Sequence, residues 1–312
     1  MNFSPDLIQA SYAACQRRAR RSKSNFYPCF MLLGKSKRRA MEALYAFMRH
    51  TDDLGDHPGP EQLRHDALIR WRALLDQALL GQMQPPELPE PQHGQLEHPD
   101  DTAGRILLPA LADTVRRFEI PSRHLHAVID GVEMDFRKNR YETFDELADY
   151  CRHVASAVGL ACIHIWGFQG DEALQPADKC GIAMQLTNIL RDLGEDVRMD
   201  RVYLPLEDLR LCDYSVEDLS AGVVDERFAH LLELQVARAE QFYHEGSELI
   251  EYLEPAGRRV FGMMMNTYHD LLGRVARHGD ELLSCRLRLG RWHKLRIASR
   301  WILLPPRRAA LP

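Results

Sequence analysis

The chain has 312 residues, of which 45% are hydrophobic and 27% are charged, and this composition excludes wholesale disorder. Its 40 basic and 45 acidic side chains leave a formal net charge of -5, which argues against a dedicated nucleic-acid binder. A chain of this length can bury a sizeable core without disulfides or a structural metal.

Cysteine usage and the absence of sorting signals bear on location. The seven cysteines are scattered and form no CxxC pair, so they indicate neither a zinc site nor a disulfide framework. A reducing cytoplasm fits this usage best. The sequence shows no secretory signal and no run of about 18 apolar residues that would span a membrane. The predicted location is therefore cytoplasmic.

Helical periodicity runs through most of the chain. Within residues 37–50, Met41, Leu44, Tyr45 and Met48 follow the i, i+3, i+4, i+7 spacing of an apolar helix face. No segment shows convincing strand alternation, so the predicted fold class is all-α. Further helices are predicted at Asp66–Leu80, Asp145–Trp166, Pro176–Leu193, Phe228–Leu253 and Gly257–Arg277.

Two segments interrupt this helical texture. Residues 82–104 carry five prolines and predict an irregular loop. Because the helical texture resumes unchanged after it, we expect an internal loop of one domain spanning residues 1–312. Residues 17–23 (RRARRSK) form a basic run, which is either a solvated helix face or a surface that meets phosphate.

The first of two acidic clusters begins at Asp52. Asp52 and Asp56 are four residues apart, so on a helix both carboxylates project from one face about one turn apart. Two like charges at that spacing destabilise a bare helix. The pair becomes favourable when a divalent cation binds both carboxylates.

The second cluster repeats this spacing with two amides in phase. Asp192 and Asp196 are again four residues apart, and Gln185 and Asn188 fall on the same helical face. Burial of such a polar stripe would be costly without ligands. One stripe alone is common on a solvated helix, whereas two stripes inside apolar helices favour a ligand site.

Paired oxygen ligands indicate Mg²⁺, with Mn²⁺ as the alternative ion. Mg²⁺ keeps several waters and bridges to phosphates, so two stripes facing each other would hold Mg²⁺ ions around a diphosphate. The metal would neutralise this leaving group and assist ionisation of a C–O bond. Near the first stripe, Arg38, Arg39 and Arg49 are candidates to hold the remaining phosphate oxygens.

Five motifs carry a resemblance to a known family. They are Ser24-Asn25-Phe26-Tyr27, Ala43-Leu44-Tyr45-Ala46-Phe47-Met48-Arg49, Tyr150-Cys151-Arg152-His153-Val154-Ala155-Ser156-Ala157-Val158-Gly159, Gln185-Leu186-Thr187-Asn188-Ile189-Leu190-Arg191-Asp192 and Arg201-Val202-Tyr203-Leu204-Pro205. In order and spacing the chain resembles the squalene and phytoene synthase family, the head-to-head prenyl diphosphate synthases, over residues 10–295.

The resemblance implies an isoprenoid synthase fold with a central apolar cavity and a 1'-1 coupling of two prenyl diphosphates. One substrate would ionise to an allylic cation, the other would attack through its double bond, and proton loss would give a cyclopropylcarbinyl diphosphate. The metal ligands would be Asp52, Asp56, Asn188, Asp192 and Asp196. Tyr45 and Arg49 would join the four aspartates as catalytic residues. The candidate substrate-binding residues are then Ser24, Tyr27, Arg38, Arg49, His153, Gln185, Asn188 and Tyr268.

An allylic cation must be kept from water, so the cavity around it should be apolar and aromatic. The candidates for its lining are Phe26, Phe30, Phe47, Met48, Phe136, Val154, Leu160 and Met184, although each taken singly is better explained as ordinary core. The basic segment 286–296 either closes over diphosphate, as similar stretches do in relatives, or is a solvated face.

One departure from the family pattern bears on the product. His153 stands where many squalene and phytoene synthases carry tyrosine, and its surroundings are more similar to bacterial presqualene diphosphate synthases. His153 is either a hydrogen-bonded wall residue or the base for cyclopropane formation. No GxGxxG fingerprint is visible, so no NADPH is expected.

The favoured product is therefore presqualene diphosphate, made from two farnesyl diphosphates on a squalene or hopanoid route. The alternatives are phytoene from two geranylgeranyl diphosphates on a carotenoid route, and the product of a hydroxysqualene synthase or another relative. A non-catalytic assembly role is disfavoured because such relatives lose the aspartate stripes.

The substrate tails are lipids, which bears on partners. We expect peripheral contact with the inner face of the membrane through the region of Trp292 and Trp301, although residues 300–305 would serve equally as packed core. No nucleic-acid partner is expected, and the sequence indicates neither a downstream enzyme nor an oligomeric state.

Overall fold

A computed structural model describes residues 3–22, 27–84, 101–303 and 306–311. Within these residues the ordered elements are helices, and the β-structure amounts to two isolated bridges, Arg140 with Val202 and Phe168 with Leu253. The predicted all-α class is confirmed. Ser24 and most of the proline-rich segment lie outside the described residues.

The chain divides into two compact units, Met1–Glu133 and Met134–Pro312, and the single domain over residues 1–312 stays a prediction. The helices of the first unit are α1 (Pro5–Arg21), α2 (Tyr27–Phe30), α3 (Lys35–Gly55), α4 (Glu61–Leu79), α5 (Asp101–Arg105) and α6 (Leu108–Arg117), and α7 (Ser122–Arg137) contains the point of division. The second unit continues with α8 (Phe144–Cys151), a π-helical turn (Arg152–Ser156), α9 (Ala157–Trp166), α10 (Leu174–Arg198), α11 (Leu206–Leu211), α12 (Val216–Ser220), α13 (Glu226–Gly246), α14 (Leu249–Tyr252), α15 (Pro255–Arg277) and α16 (Arg291–Leu303).

Side-chain caps fix where several of these helices begin. Ser4 accepts a hydrogen bond from the backbone N–H of Leu7 at 3.2 Å, and Pro5 occupies the first turn of α1. Thr143 and Asp225 cap α8 and α13 in the same way. The caps of α1 and α8 matter for function because these helices lead to the basic run and to His153.

The predicted helices are confirmed, with two interruptions. The helix predicted over residues 145–166 contains the π-helical turn, and the helix predicted over 228–253 ends at Gly246 and restarts at Leu249. The π-helical turn lies where α10 comes closest, since a Cβ atom on Gly181 would be 2.4 Å from the Ser156 Cα. Hydrophobic periodicity does not register such a turn because the apolar face continues on both sides.

Each unit has its own core. In the first, the Phe47 ring stacks on Trp71 with centroids 5.6 Å apart, and the Trp71 indole N–H donates to Thr51 Oγ1 at 2.9 Å. In the second, α10 is the central helix and packs against α9, α13, α15 and the π-helical turn. The hydroxyl groups of Thr187 and Tyr243, 2.8 Å apart, join α10 to α13. The central position of α10 fixes the helix that carries the second aspartate stripe.

A buried histidine makes the first unit sensitive to acid. The His50 ring lies edge-on to Trp71 at 4.5 Å and is 4% exposed. Burial, and secondly the positive charge of Arg18, lower the pKa of His50 from 6.5 to about 3. Because the unfolded chain binds this proton more tightly, the free energy of unfolding falls as the pH drops from 6.5 towards 3.

We expect His50 to account for a loss of roughly 3 kcal/mol between pH 7 and pH 4. Urea unfolding at both pH values should therefore show a shallower acid dependence for His50→Gln than for the unaltered protein. His65→Gln, at a partly exposed position of α4, is the matched control and should keep the full dependence. An acid dependence unchanged by His50→Gln would contradict the assignment.

Candidate active site

The first aspartate stripe lies at the C-terminal end of α3. Asp52 is in the last turn, and the backbone N–H of Asp56 donates to the Asp52 carbonyl at 2.8 Å. Both side chains are exposed. The C-terminal end of a helix carries partial negative charge, so two carboxylates there are unfavourable. A cation bound between them would relieve both this effect and their mutual repulsion.

Tyr45 shares the face of this stripe. Steps of three and four residues join Tyr45, Met48, Asp52 and Asp56, and Tyr45 and Met48 are partly exposed while most of α3 is buried. The Tyr45 ring contacts Phe30 edge-on, with centroids 6.1 Å apart. The structure therefore brings Tyr45 and both carboxylates of the first stripe to one surface of α3.

Asp53, which sequence reasoning missed, binds two arginines. Arg49 Nη2 lies 2.7 Å from Asp53 Oδ1, and Arg18 Nη2 lies 2.7 Å from Oδ2. A guanidinium has five N–H donors, so a single carboxylate leaves donors for a second anion. Asp53 thus holds Arg49 in place beside the stripe, as a positioning group for the predicted diphosphate binder.

A cavity of about 450 Å³ lies beside this ion pair. Its polar lining includes Arg17, Arg18, Arg21, Arg49 and Asp53, so cations outnumber the single acid. Three of these arginines belong to the basic run of the sequence, which favours a phosphate-meeting surface over a purely solvated one. Convergent guanidinium groups are suited to oxyanions such as phosphate.

Two other predicted substrate-binding residues of the first unit, Tyr27 and Arg38, do not lie at the first stripe. The Tyr27 hydroxyl accepts a hydrogen bond from Arg20 Nε at 2.9 Å and donates to the buried Glu42 at 3.0 Å, so it belongs to an internal network. Arg38 lies in the first turn of α3, about 21 Å along the helix from Asp52 at 1.5 Å per residue. The structure therefore does not bring Arg38 to the first stripe.

The second aspartate stripe occupies the C-terminal half of α10. Gln185, Asn188, Asp192 and Asp196 are all partly exposed, whereas apolar residues between them are buried. The single face predicted from their spacing is present. Within the described residues no three His, Cys, Asp or Glu side chains lie close enough together to hold a metal ion. The oxygen ligands that the stripe itself offers are two carboxylates and an amide.

Asn188 presents an unsatisfied acceptor on this face. Its Nδ2 donates to Gln185 Oε1 at 3.2 Å, while its Oδ1 is buried without a hydrogen-bond partner. An orphaned buried carbonyl costs about 1–3 kcal/mol. A hard cation would satisfy this oxygen, so the amide fits the Mg²⁺ site that the sequence predicts.

Asp192 is bound by two guanidinium groups. Arg191 Nε donates to Asp192 Oδ1 at 2.7 Å, and Arg286 Nε lies 2.8 Å from the same oxygen. Arg286 also reaches Glu195 at 3.2 Å. Tyr268, buried on α15, hydrogen-bonds with Arg191 and so lies next to the stripe. The basic segment predicted to close over diphosphate thus contacts Asp192 of the stripe, and the neighbouring Glu195, through Arg286.

Asp196 has a strongly perturbed pKa. Burial, and secondly the charge of Asp192, raise the pKa of Asp196 to about 7, and Arg201 offsets the rise only in part. Asp135 and Glu195 add further negative charge. A bound cation would favour the ionised form of this crowded carboxylate and lower its pKa again, which fits a divalent metal.

Asp135, on α7, is a second acid that sequence reasoning missed. The hydroxyl of Tyr203 donates to it at 2.9 Å and that of Tyr150 at 3.3 Å. The rings of Tyr141, Tyr150 and Tyr203 pack together with centroids 5.2 to 5.8 Å apart. Two of the family motifs therefore meet at one carboxylate. The available signal was an acid in phase with the buried face of an amphipathic helix.

His153 lies in the π-helical turn and is 30% exposed. Its Nδ1 is 2.8 Å from the carbonyl oxygen of Asp149, and because a carbonyl only accepts, Nδ1 carries the proton. In the neutral ring Nε2 is then the acceptor nitrogen. Both predicted roles of His153, a hydrogen-bonded residue of the cavity wall and a base, would involve Nε2 as the acceptor.

The predicted lining residues divide into two groups. Phe30 and Phe47 are fully buried core residues, and Phe26 lies outside the described residues. Those that are partly exposed are Met48, Phe136, Val154, Leu160 and Met184, of which Met48 lies on the face of the first stripe and Met184 is next to Gln185.

Among the described helices, none combines the length and apolar character needed to cross a bilayer.

Comparison with known proteins places these features in a family. The sequence profile of the squalene/phytoene synthases matches residues 19–293. The phytoene synthase of Arthrospira platensis is 33% identical over 304 residues, which cover 93% of this chain and 92% of that protein. Phytoene synthase 2 of Solanum lycopersicum, a chloroplastic protein, is 32% identical and covers 98% of this chain and 95% of its own length.

Solved structures agree with this assignment. A dehydrosqualene synthase in complex with a ligand has a TM-score of 0.80 at 25% identity, covering 95% of this chain and 96% of that one. The squalene synthase HpnC of Alicyclobacillus acidocaldarius has a TM-score of 0.76 at 25% identity, covering 88% of this chain and 97% of that one. The predicted isoprenoid synthase fold is confirmed.

Proposed function

The chain belongs to the squalene/phytoene synthase family and is a prenyltransferase that condenses prenyl diphosphates head to head, and we propose that it makes phytoene from two geranylgeranyl diphosphates. The observation that carries this choice is the set of phytoene synthases related over more than nine-tenths of the chain, from both a cyanobacterium and a plant. These relatives support phytoene better than the presqualene diphosphate favoured from His153 and its neighbours.

The chemistry of phytoene formation suits the residues present. Two prenyl chains are joined, and two diphosphates and two protons leave, so no hydride donor is needed. The protein must therefore bind strongly charged leaving groups and keep water from a carbocation. In this proposal the arginine-lined cavity beside Asp53 binds diphosphate oxygens, with Arg49 aligned by its ion pair.

The aspartate stripes are proposed to hold the divalent metal. Asp52 and Asp56 supply one pair of ligands, and Asp192 and Asp196 supply another with the unsatisfied Asn188 oxygen. When bound, Mg²⁺, or Mn²⁺ in its place, neutralises the charge of the departing diphosphate. Gln185 holds the Asn188 amide by its hydrogen bond and so leaves the carbonyl oxygen of Asn188 as the atom that would bind the metal.

A product assay tests the proposal. Purified protein is incubated with Mg²⁺ and either farnesyl or geranylgeranyl diphosphate, without NADPH, and products are identified by mass spectrometry after phosphatase treatment. We expect a C40 hydrocarbon from geranylgeranyl diphosphate and at most a trace of condensed product from farnesyl diphosphate. Absence of diphosphate release from both substrates would contradict any catalytic role.

A second candidate is presqualene diphosphate synthesis from two farnesyl diphosphates. The observations that favour it are His153 in place of tyrosine and the likeness to a squalene synthase and a dehydrosqualene synthase. A C30 cyclopropyl alcohol from farnesyl diphosphate in the same assay would establish this candidate and contradict phytoene synthesis.

A further inference from the structure

The outward face of α16 concentrates exposed apolar side chains. Among the described residues ten large hydrophobic side chains are exposed, and four of them lie in this one helix. They are Trp292 at 85%, Leu295 at 57%, Ile302 at 51% and Leu303 at 77%. Steps of three, seven and one residue place all four on one side of the helix. This apolar strip, in which the exposed Ser299 lies between Leu295 and Ile302, marks an interaction surface.

The opposite face of α16 is already committed to the fold. Trp301 is 1% exposed and its ring lies over Gly262 of α15, where a Cβ atom would be 2.1 Å away. His293 Nε2 is 2.5 Å from Asp270 Oδ2, and Ile297 is buried between these two anchors. Trp301 is therefore core, and of the two tryptophans predicted to meet a membrane only Trp292 is exposed. The outward apolar residues are not needed to attach the helix.

The charged side chains of the segment that contains α16, residues 282–312, are all basic. Residues 282–312 contain eight of the 40 basic side chains of the chain and none of its 45 acidic ones. The remaining 281 residues carry 32 basic and 45 acidic side chains, so the negative charge of the protein lies entirely outside this segment. Arg296 and Arg300 are exposed and border the apolar strip on one side. Arg286 and Arg308 are paired with acids outside the segment, so the complementarity of this surface to an anionic partner with an apolar interior rests on Arg296 and Arg300.

We propose that α16 is an interfacial helix that binds the surface of an anionic phospholipid bilayer. Trp292, Leu295, Ile302 and Leu303 enter the boundary between headgroups and acyl chains, while the arginines meet lipid phosphates. Tryptophan favours this boundary because its ring is apolar and its N–H is polar. The inference goes beyond the proposed function, since it holds for whichever prenyl diphosphate the protein uses. An apolar, acidic protein surface is the competing partner.

Trp292 provides an intrinsic probe of this contact. Of the four tryptophans in the chain, Trp71, Trp166 and Trp301 are at most 3% exposed, so Trp292 is the one that changes environment on binding. The full-length protein is mixed with vesicles of phosphatidylcholine alone or with one third phosphatidylglycerol. We expect a blue shift of tryptophan emission, and quenching by brominated lipid, with binding at least about tenfold stronger to the anionic vesicles. High salt should weaken the binding.

A matched pair of variants distinguishes membrane binding by α16 from nonspecific adsorption through any exposed apolar side chain. The triple variant Trp292→Ser, Leu295→Ser, Leu303→Ser removes the strip, and vesicle flotation should fall about tenfold or more. The control Leu80→Ser, Leu211→Ser removes two other exposed leucines, 70% and 73% exposed, and should float as the unaltered protein does. Arg296→Glu with Arg300→Glu should abolish the preference for anionic vesicles.

Three results would overturn the inference. One is equal flotation of the triple variant and the control, and another is no emission change on anionic vesicles. The third is self-association in the absence of lipid that the triple variant abolishes, because the strip would then be an interface between copies. Diphosphate release with detergent-solubilised substrate is measured in parallel, so that failure of vesicle binding and failure of the proposed reaction are distinguishable.

Discussion

Replacing Asp196 by asparagine is expected to lower prenyl diphosphate turnover by about 100-fold or more while making the metal-free protein more stable. The loss follows from removing one carboxylate of the proposed metal site. The gain follows because burial and Asp192 raise the pKa of Asp196 to about 7, so its charged form opposes folding at pH 8. After allowance for partial exposure, the gain in unfolding free energy is on the order of 2 kcal/mol.

The pH dependence gives a second readout of the same group. With a pKa of 3.8 when unfolded and about 7 when folded, the native state holds the extra proton, so stability falls as the pH rises between these values. Urea unfolding of metal-free Asp196→Asn should lack this decline. Added Mg²⁺ should raise the thermal midpoint of the unaltered protein and have a much smaller effect on the variant.

Asp178→Asn is the matched control for Asp196→Asn. Asp178 lies in the first half of the same helix, α10, where it pairs with Arg152 at 3.5 Å. This variant should keep the activity and the Mg²⁺-dependent thermal shift of the unaltered protein. Full activity in Asp196→Asn would remove Asp196 from the metal site, and a loss of metal-free stability at pH 8 would contradict the raised pKa of Asp196.

The sequence predicted the two stripes because a helical face is a local property. Once α3 and α10 are helices, residues three and four apart share a side, and Asp52 with Asp56 and Asp192 with Asp196 need no tertiary information. Arg38 is 14 residues before Asp52, which is about 21 Å along α3, so the helix does not bring Arg38 to the first stripe and its role in substrate binding stays a prediction.

Groups whose partners come from distant helices escaped sequence reasoning. Asp53 is completed by Arg18, 35 residues earlier, and Asp135 by Tyr203, 68 residues later. Neither acid stands four residues from a second acid as the stripe aspartates do, and the local signals they have, Arg49 four residues before Asp53 and the helical phase of Asp135, are also common for solvated carboxylates. The identity of the product could not be predicted for a similar reason. Chain-length choice depends on the depth of the cavity, which several distant side chains set together, whereas the prediction of presqualene diphosphate relied on His153 and its neighbours.

The π-helical turn is a further feature that no local sequence pattern predicted. Its packing against α10 requires a glycine at residue 181. Gly181 of α10 meets the backbone of Ser156, and Ser156 Oγ donates to the Asp178 carbonyl at 2.8 Å. This contact joins the turn that carries His153 to the helix that carries the second stripe. Its geometry depends on the absence of a side chain at residue 181.

Gly181→Ala is therefore expected to destabilise the protein and disturb the site together. The added Cβ would lie 2.4 Å from the Ser156 Cα and 2.6 Å from its backbone nitrogen, and neither atom is the end of a flexible side chain. The helices must move apart, at a cost of about 2–4 kcal/mol of unfolding free energy. Because the shift begins one turn before Gln185, turnover should also fall, by roughly tenfold.

Gly273→Ala, in the interior of α15, supplies the matched control. There the nearest atom to the added Cβ is the end of the Arg277 side chain at 3.5 Å, so the methyl group meets only an ordinary contact. Alanine is the better helix former, and this variant should gain up to about 1 kcal/mol. Urea unfolding of both variants checks the pair. A gain in stability at both glycines would show that helix propensity, and not the close approach to Ser156, governs residue 181.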